Sequence, residues 1–263
     1  MSSESLIAEH REQSVGLLRN NMEARAEHQK VRHYQTFYSF TTSMGVGLLA
    51  LVLFWILYYR SGFAWQKTPS QEFYWHPFLM VLGMVFLYSQ SMLVYRSLRH
   101  VPKMKLKIIH ASLHGLAFIL SVIGLKAAFD SHNLVDPPKP NLYSLHSWIG
   151  LATVIIFALQ FLIGFLSFLY PGISINLRKA LMPVHTSFGI GCFILAIVTT
   201  LTGVTEKVLW TLSTDYQKYP SEGILINLIG VFTVFYGVMV LYMVNEMDYK
   251  RVATVEDDIP LSE

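Results

Sequence analysis

Five of the ten histidines stand where an ionisable side chain is expensive. His76, His110, His114, His146 and His185 fall inside long apolar runs. His10, His28 and His33 lie in a polar opening segment, and His100 and His132 lie between runs; these read as surface residues. An imidazole surrounded by hydrocarbon serves as a metal ligand, a proton carrier or a member of a hydrogen-bonded pair. The single cysteine, Cys192, is embedded in an apolar run and reads as a small buried hydrophobe. Neither a disulfide framework nor a thiolate metal site is available.

The elements that must position these histidines are membrane-spanning helices. Of 263 residues, 53% are hydrophobic and 14% are charged, against about 25% charged in an ordinary soluble domain. Six stretches, 38–59, 74–95, 108–129, 143–169, 183–205 and 223–244, are long and apolar enough to cross about 30 Å of hydrocarbon as helices. The expected fold is therefore an all-α integral membrane protein with six transmembrane helices. The fourth stretch is the longest and is expected to tilt or to extend beyond the bilayer. A formal net charge of +3 gives no reason to expect a nucleic-acid partner. The first residues mix five Lys/Arg with five glutamates and contain no apolar core followed by a cleavage site, so they read as a retained tail. The expected organisation is an N-terminal tail over 1–37, a membrane domain over 38–245 and an acidic C-terminal tail over 246–263.

Six spans put both termini on one side. If that side is cytoplasmic, its segments carry 14 Lys/Arg and the opposite segments carry six. The short loop with Arg96, Arg99, Lys103, Lys105 and Lys107 weighs most, and the termini are expected in the cytoplasm.

This topology sorts the histidines by depth. His76 and His146 open the second and fourth spans on the outer side, while His110 and His185 open the third and fifth on the inner side. Each level thus holds two histidines from non-adjacent helices, as on the diagonals of a bundle formed by helices 2–5. Zinc needs three or four ligands converging at one depth. Two opposed imidazoles instead suit a haem iron, and they leave no position for oxygen, which favours electron transfer. Gly83, Gly150 and Gly189 share a helical face with His76, His146 and His185 and would admit a flat ring close to the backbone. His114, one turn after His110, is an alternative ligand, but His110 matches His185 better in depth. The levels lie about 17 residues apart, roughly 25 Å, and Phe118 and Phe157 fall between them. A haem-free transporter using these histidines as a proton relay is the alternative.

Several strings now resemble one family: Trp75-His76-Pro77, Leu93-Val94-Tyr95-Arg96, Lys107-Ile108-Ile109-His110, Tyr143-Ser144-Leu145-His146-Ser147-Trp148 and Pro183-Val184-His185. They are similar to the eukaryotic cytochrome b561 family of ascorbate-dependent transmembrane oxidoreductases, over roughly 38–245. The resemblance implies two haem b groups, one on His76 and His146 and one on His110 and His185, with Arg96, Asn141, Tyr143, Ser144 and Glu206 helping to hold them. It also implies a cytoplasmic ascorbate site at Lys103, Lys107 and Arg178, an outer acceptor site near His132, and a homodimer. The small residues Gly45 and Gly47 would offer such a partner a close approach. Lys103 and Lys107 share a face if the third helix extends into the cytosol. Lys126 is expected to pair with Asp130 rather than touch haem. The acceptor on the far side is either a ferric chelate or monodehydroascorbate, and plasma membrane, secretory vesicle and endolysosomal membrane all remain open.

Overall fold

A computed structural model describes residues 10–20, 22 and 33–252. Six helices in it are long and apolar enough to cross a membrane. Helix α1 runs Tyr34–Phe54 and continues through a π-helical turn, Trp55–Tyr59. It stops where Ser61 and Gly62 both turn to positive φ. Helix α2 comprises Trp75–Met80, a π-helical stretch Val81–Leu87, and Tyr88–Ser97. Pro77 sits in its first turn, where a missing N–H is harmless. Helix α3 is Lys103–Asn133, α4 is Leu145–Gly164 with a π-helical turn to Leu169, α5 is Ile175–Leu212 and α6 is Ser221–Asn245. No strand occurs among the described residues. A further short helix covers 10–20 in the N-terminal segment.

The helix that overruns the bilayer is α5 rather than α4. Its 38 residues extend about 57 Å at 1.5 Å per residue. Hydropathy marks what can lie in lipid, but caps decide where a helix begins. Ser144 accepts from the Ser147 amide while Ser147 answers in return, so α4 starts only at Leu145 and leaves Tyr143 outside. Nothing comparable stops α5, which carries Arg178, Lys179, Glu206 and Lys207 as helical residues beyond its apolar stretch. Likewise α3 begins at Lys103, so Lys103 and Lys107 stand one turn apart on a single helix.

Helices α2 and α3 form one antiparallel hairpin, and α4 and α5 form another. The hairpins meet along α3 against α4 and α5 against α2, while α6 packs on α5 and α1. Leu48 and Val52 of α1, Met84 and Val85 of α2, Phe193 and Ala196 of α5, and Tyr236 and Val240 of α6 share one core. Gly45 is part of that interior. A Cβ there would lie 2.7 Å from Phe86 and Tyr236, so Gly45 serves packing within the chain, whereas Gly47 faces open space. Many large apolar side chains of α4 and α5 are exposed, among them Ile155, Leu159, Leu162 and Phe188. Such a surface suits lipid and would be a liability in water.

The face that carries the chain ends is tied together. Tyr34, Leu93, Met243 and Tyr249 form a small cluster, so the residues just after α6 dock on α1 and α2. Arg96 donates to the carbonyls of Val244 and Glu246, which the end of α6 leaves without helical partners.

Candidate functional site

Each hairpin seats two of its own histidines against the neighbouring helix. In the first, the His76 ring nitrogen Nδ1 lies 3.1 Å from the Gly124 carbonyl of α3. His110 of α3 returns the arrangement, with Nδ1 2.9 Å from the Ser91 carbonyl and 3.0 Å from the Ser91 hydroxyl. In the second, His146 of α4 places Nδ1 3.0 Å from the Thr199 carbonyl. A Cβ on Gly203 would lie 2.6 Å from His146 Cε1, and one on Gly164 would lie 2.8 Å from His185 Cε1. These two glycines are the seats of the imidazoles. Gln160 reaches from α4 to the His185 carbonyl, and His185 Nδ1 is buried without a hydrogen bond.

A carbonyl facing Nδ1 makes that nitrogen the donor, so the Nε2 lone pair of His76, His110 and His146 stays free for a metal. The hairpins present these rings to each other. His76 and His146 have ring centroids 6.0 Å apart, and His110 and His185 have centroids 6.4 Å apart. Two imidazoles on opposite sides of one iron, each nitrogen about 2 Å from the metal and each ring about 1 Å in radius, need centroids about 6 Å apart. Both pairs fit that requirement. Among the described residues no three His, Cys, Asp or Glu gather as a metal cluster. Each facing pair could hold one metal ion between two imidazoles.

His114 packs edge-on against His110, Tyr88 and Phe157, with its Nδ1 buried and unpartnered. The ring that faces His185 is that of His110. Phe157 is fully buried and touches Tyr88, His114 and Phe118. An aromatic belt thus lies beside the His110 level.

Around the His76–His146 pair opens a cleft. Asn141, Tyr143, Ser144, Glu206 and His132 all line it. His132 Nδ1 is 3.1 Å from Asn141 Oδ1, Asn141 donates to Asn133, and the Ser144 hydroxyl donates to Glu206 at 3.1 Å. Arg96 is elsewhere, on the face with the chain ends, engaged with the end of α6. Of the glycines that share a face with the histidines, Gly150 lines the cleft, Gly83 abuts the Ala117 carbonyl and Gly189 lies near Gln160. Lys126 pairs with Asp130. His10, His33 and His100 are exposed, and His28 lies outside the described residues.

On the other face Lys107 is near enough to Lys103 and to Arg178 to feel both charges. Lys107 Nζ donates to the Phe168 carbonyl at 2.9 Å. Arg178 Nε is buried without a partner. Gly172, at φ 78°, gives Arg178 its space, because a Cβ there would sit 2.5 Å from Nη2. The pattern of residue types did not point to Gly124, Gly164, Gly172, Gly203 or Ser91. Their roles depend on interhelical register, and a glycine or serine in a span carries no signal of that by itself.

The sequence model for eukaryotic cytochrome b561 matches residues 75–211. The mouse (Mus musculus) transmembrane ascorbate-dependent reductase CYB561 is 38% identical over 221 residues, covering 84% of this chain and 87% of that protein. The human (Homo sapiens) lysosomal membrane ascorbate-dependent ferrireductase CYB561A3 is 41% identical over 214 residues, covering 80% of this chain and 87% of its own length. A Caenorhabditis elegans putative homologue of CYB561 is 37% identical over 240 residues, covering 88% and 90%. The chain belongs to the eukaryotic cytochrome b561 family.

Proposed function

We propose that this protein carries single electrons across its membrane, from ascorbate on the cytoplasmic face, which holds both tails, to an acceptor on the lumenal or extracellular face. The observation that carries this reading is the pair of facing imidazoles at two levels, 6.0 and 6.4 Å between centroids. A haem b held by His76 and His146 and another held by His110 and His185 would supply one-electron redox chemistry with no open coordination position.

The chain's own residues do the rest. Backbone carbonyls of Gly124, Ser91 and Thr199 orient three of the four rings. On the donor side, Lys103, Lys107 and Arg178 attract the ascorbate monoanion, and the buried, unpartnered Arg178 Nε offers it a hydrogen bond. In giving up an electron and a proton, ascorbate becomes monodehydroascorbate. On the far side Asn141, Tyr143, Ser144 and Glu206 border the haem space, and His132 stands where an acceptor would dock. There, Fe(III) in a chelate gains one electron and becomes Fe(II), or monodehydroascorbate gains an electron and a proton and returns to ascorbate. The lysosomal ferrireductase among the relatives supports the chelate. Arg96 is assigned to holding haem through the resemblance alone. A homodimer is proposed on the same basis, and the positive-inside distribution supports cytoplasmic tails.

Ascorbate-loaded proteoliposomes test this reading, with a Fe(III) chelate or monodehydroascorbate outside. The expected result is reduction of the outside acceptor that depends on internal ascorbate. A purified protein with no reduced haem b band, or one that internal ascorbate leaves oxidised, refutes it.

A further inference from the structure

Six basic residues lie in the segments on the side opposite the chain ends: Arg60, Lys67, Lys126, Lys139, Lys207 and Lys218. Three of these charges are neutralised by carboxylates. Arg60 pairs with Glu222, which also accepts from Trp55 at 2.8 Å; Lys126 pairs with Asp130; Lys218 pairs with Asp215. Of the six, only Lys207 lines the cleft beside His76 and His146. It has no carboxylate within salt-bridge distance among the described residues. Of the nearby acids, Glu222 is paired with Arg60, and Glu206 accepts from the Ser144 hydroxyl and keeps its charge in the same cleft without bridging to Lys207.

A lysine at the end of a membrane helix ordinarily extends its ammonium into water. Lys207 instead lies half-buried over two rings, 4.4 Å from the centroid of Phe73 and 5.1 Å from that of Tyr74. Aromatic faces hold an ammonium in place without neutralising it. Of the charges near enough to reach it, Arg60 and Glu222 pair with each other and largely cancel, which leaves Lys139 as a further cation. The result is a cation held in place without a salt-bridge partner, in a cleft whose polar lining includes the His76–His146 pair, His132, Asn141, Tyr143, Ser144 and Glu206.

We infer that Lys207 is the anion anchor of this cleft, taking a carboxylate or enolate oxygen of an organic anion. The inference rests on the electron-transfer reading. It adds that the acceptor side selects by charge, so an anionic chelate or monodehydroascorbate is favoured over a cationic acceptor. The same chemistry could be met by a propionate of the haem at His76 and His146, and the experiment separates the two sources.

The full chain is compared with Lys207→Gln and with Lys207→Arg, which keeps the charge and serves as the folding control. Ascorbate-loaded proteoliposomes are offered ferric citrate or ferric EDTA as carboxylate-bearing anions and tris(phenanthroline)cobalt(III) as a cation. Haem content and midpoint potentials are measured on the same preparations. An acceptor anion predicts that Lys207→Gln raises the KM for the anions about tenfold, the scale of a lost partly buried charge contact. The cationic acceptor is unaffected, potentials are unchanged and Lys207→Arg recovers. A propionate predicts a shifted potential, and both acceptors altered alike, again recovered by Arg. Lys207→Gln with unchanged KM values, potentials and haem content overturns the anchor. A wild-type protein that reduces neither acceptor overturns the electron-transfer reading instead, and the potentials still report on Lys207.

Discussion

Gly203→Ala places one methyl group against the ring that the site depends on. The added carbon would stand 2.6 Å from His146 Cε1, 2.9 Å from Nδ1 and 3.3 Å from Nε2. Carbon contacts are comfortable at about 3.5 Å or more, so the ring must retreat by about 1 Å. That motion breaks the 3.0 Å contact of Nδ1 with the Thr199 carbonyl, at a cost of about 1 kcal/mol. Crowding a packed site costs a further 1–3 kcal/mol or so. Alanine returns up to about 1 kcal/mol as the better helix former. The net is roughly 2 kcal/mol against a correctly placed ligand, or about thirtyfold weaker haem retention at the His76–His146 level. Gly191→Ala, on the same helix with nothing within 4 Å, is the control and keeps the helix-propensity gain without the clash. Haem per polypeptide, measured with a redox titration after detergent purification, should fall or show a displaced potential in Gly203→Ala and stay unchanged in Gly191→Ala. Equal haem content and superimposable titrations for both variants would refute the assignment of Gly203 as the seat of a ligand.

Other consequences follow from the same geometry. Gly164→Ala should disturb the His110–His185 level alone, since its Cβ would meet His185 at 2.8 Å; a redox titration in which one haem component shifts and the other does not checks it. Gly172→Ala forces a left-handed backbone on a residue with a Cβ, at about 1–2 kcal/mol, and displaces Arg178. Its ascorbate KM is expected to rise, as is that of Arg178→Gln, with haem content preserved. His114→Leu should retain both haems, whereas His110→Leu should lose one, as read by haem content and visible spectra. Glu222→Ala leaves Arg60 and the Trp55 indole without their partner between α1 and α6 and should lower detergent stability by about 1–3 kcal/mol in thermal melts.

Much of this arrangement is legible in the residues. The six spans follow from apolar runs, because only helices and closed barrels satisfy the backbone in lipid. That His76 would meet His146, and His110 meet His185, follows from counting which span starts on which side. Depth is a one-dimensional quantity that hydropathy records. What surrounds each ring is not one-dimensional. The Gly124 and Thr199 carbonyls lie 48 and 53 residues from the histidines they orient, and only the rotation of one helix against its neighbour selects them. The same limit explains Arg96, whose acceptors on α6 are 148 and 150 residues away. It also explains Gly45, which suits an external partner by type but is enclosed by Phe86 and Tyr236. Helix ends escaped hydropathy for another reason. The Ser144 cap holds α4 short, while α5 continues through polar residues that a hydropathy window discards.

The central claim is that the two histidine pairs hold separate haems in series. Its most direct test is the haem-to-polypeptide ratio of purified full-length protein and of variants that remove one ligand from each pair. The account predicts two haems in the wild type, one after loss of His76 or His146, one after loss of His110 or His185, and none when both pairs are broken. Haem-free wild-type protein, or a His76→Ala, His185→Ala double variant that still carries haem, would contradict it.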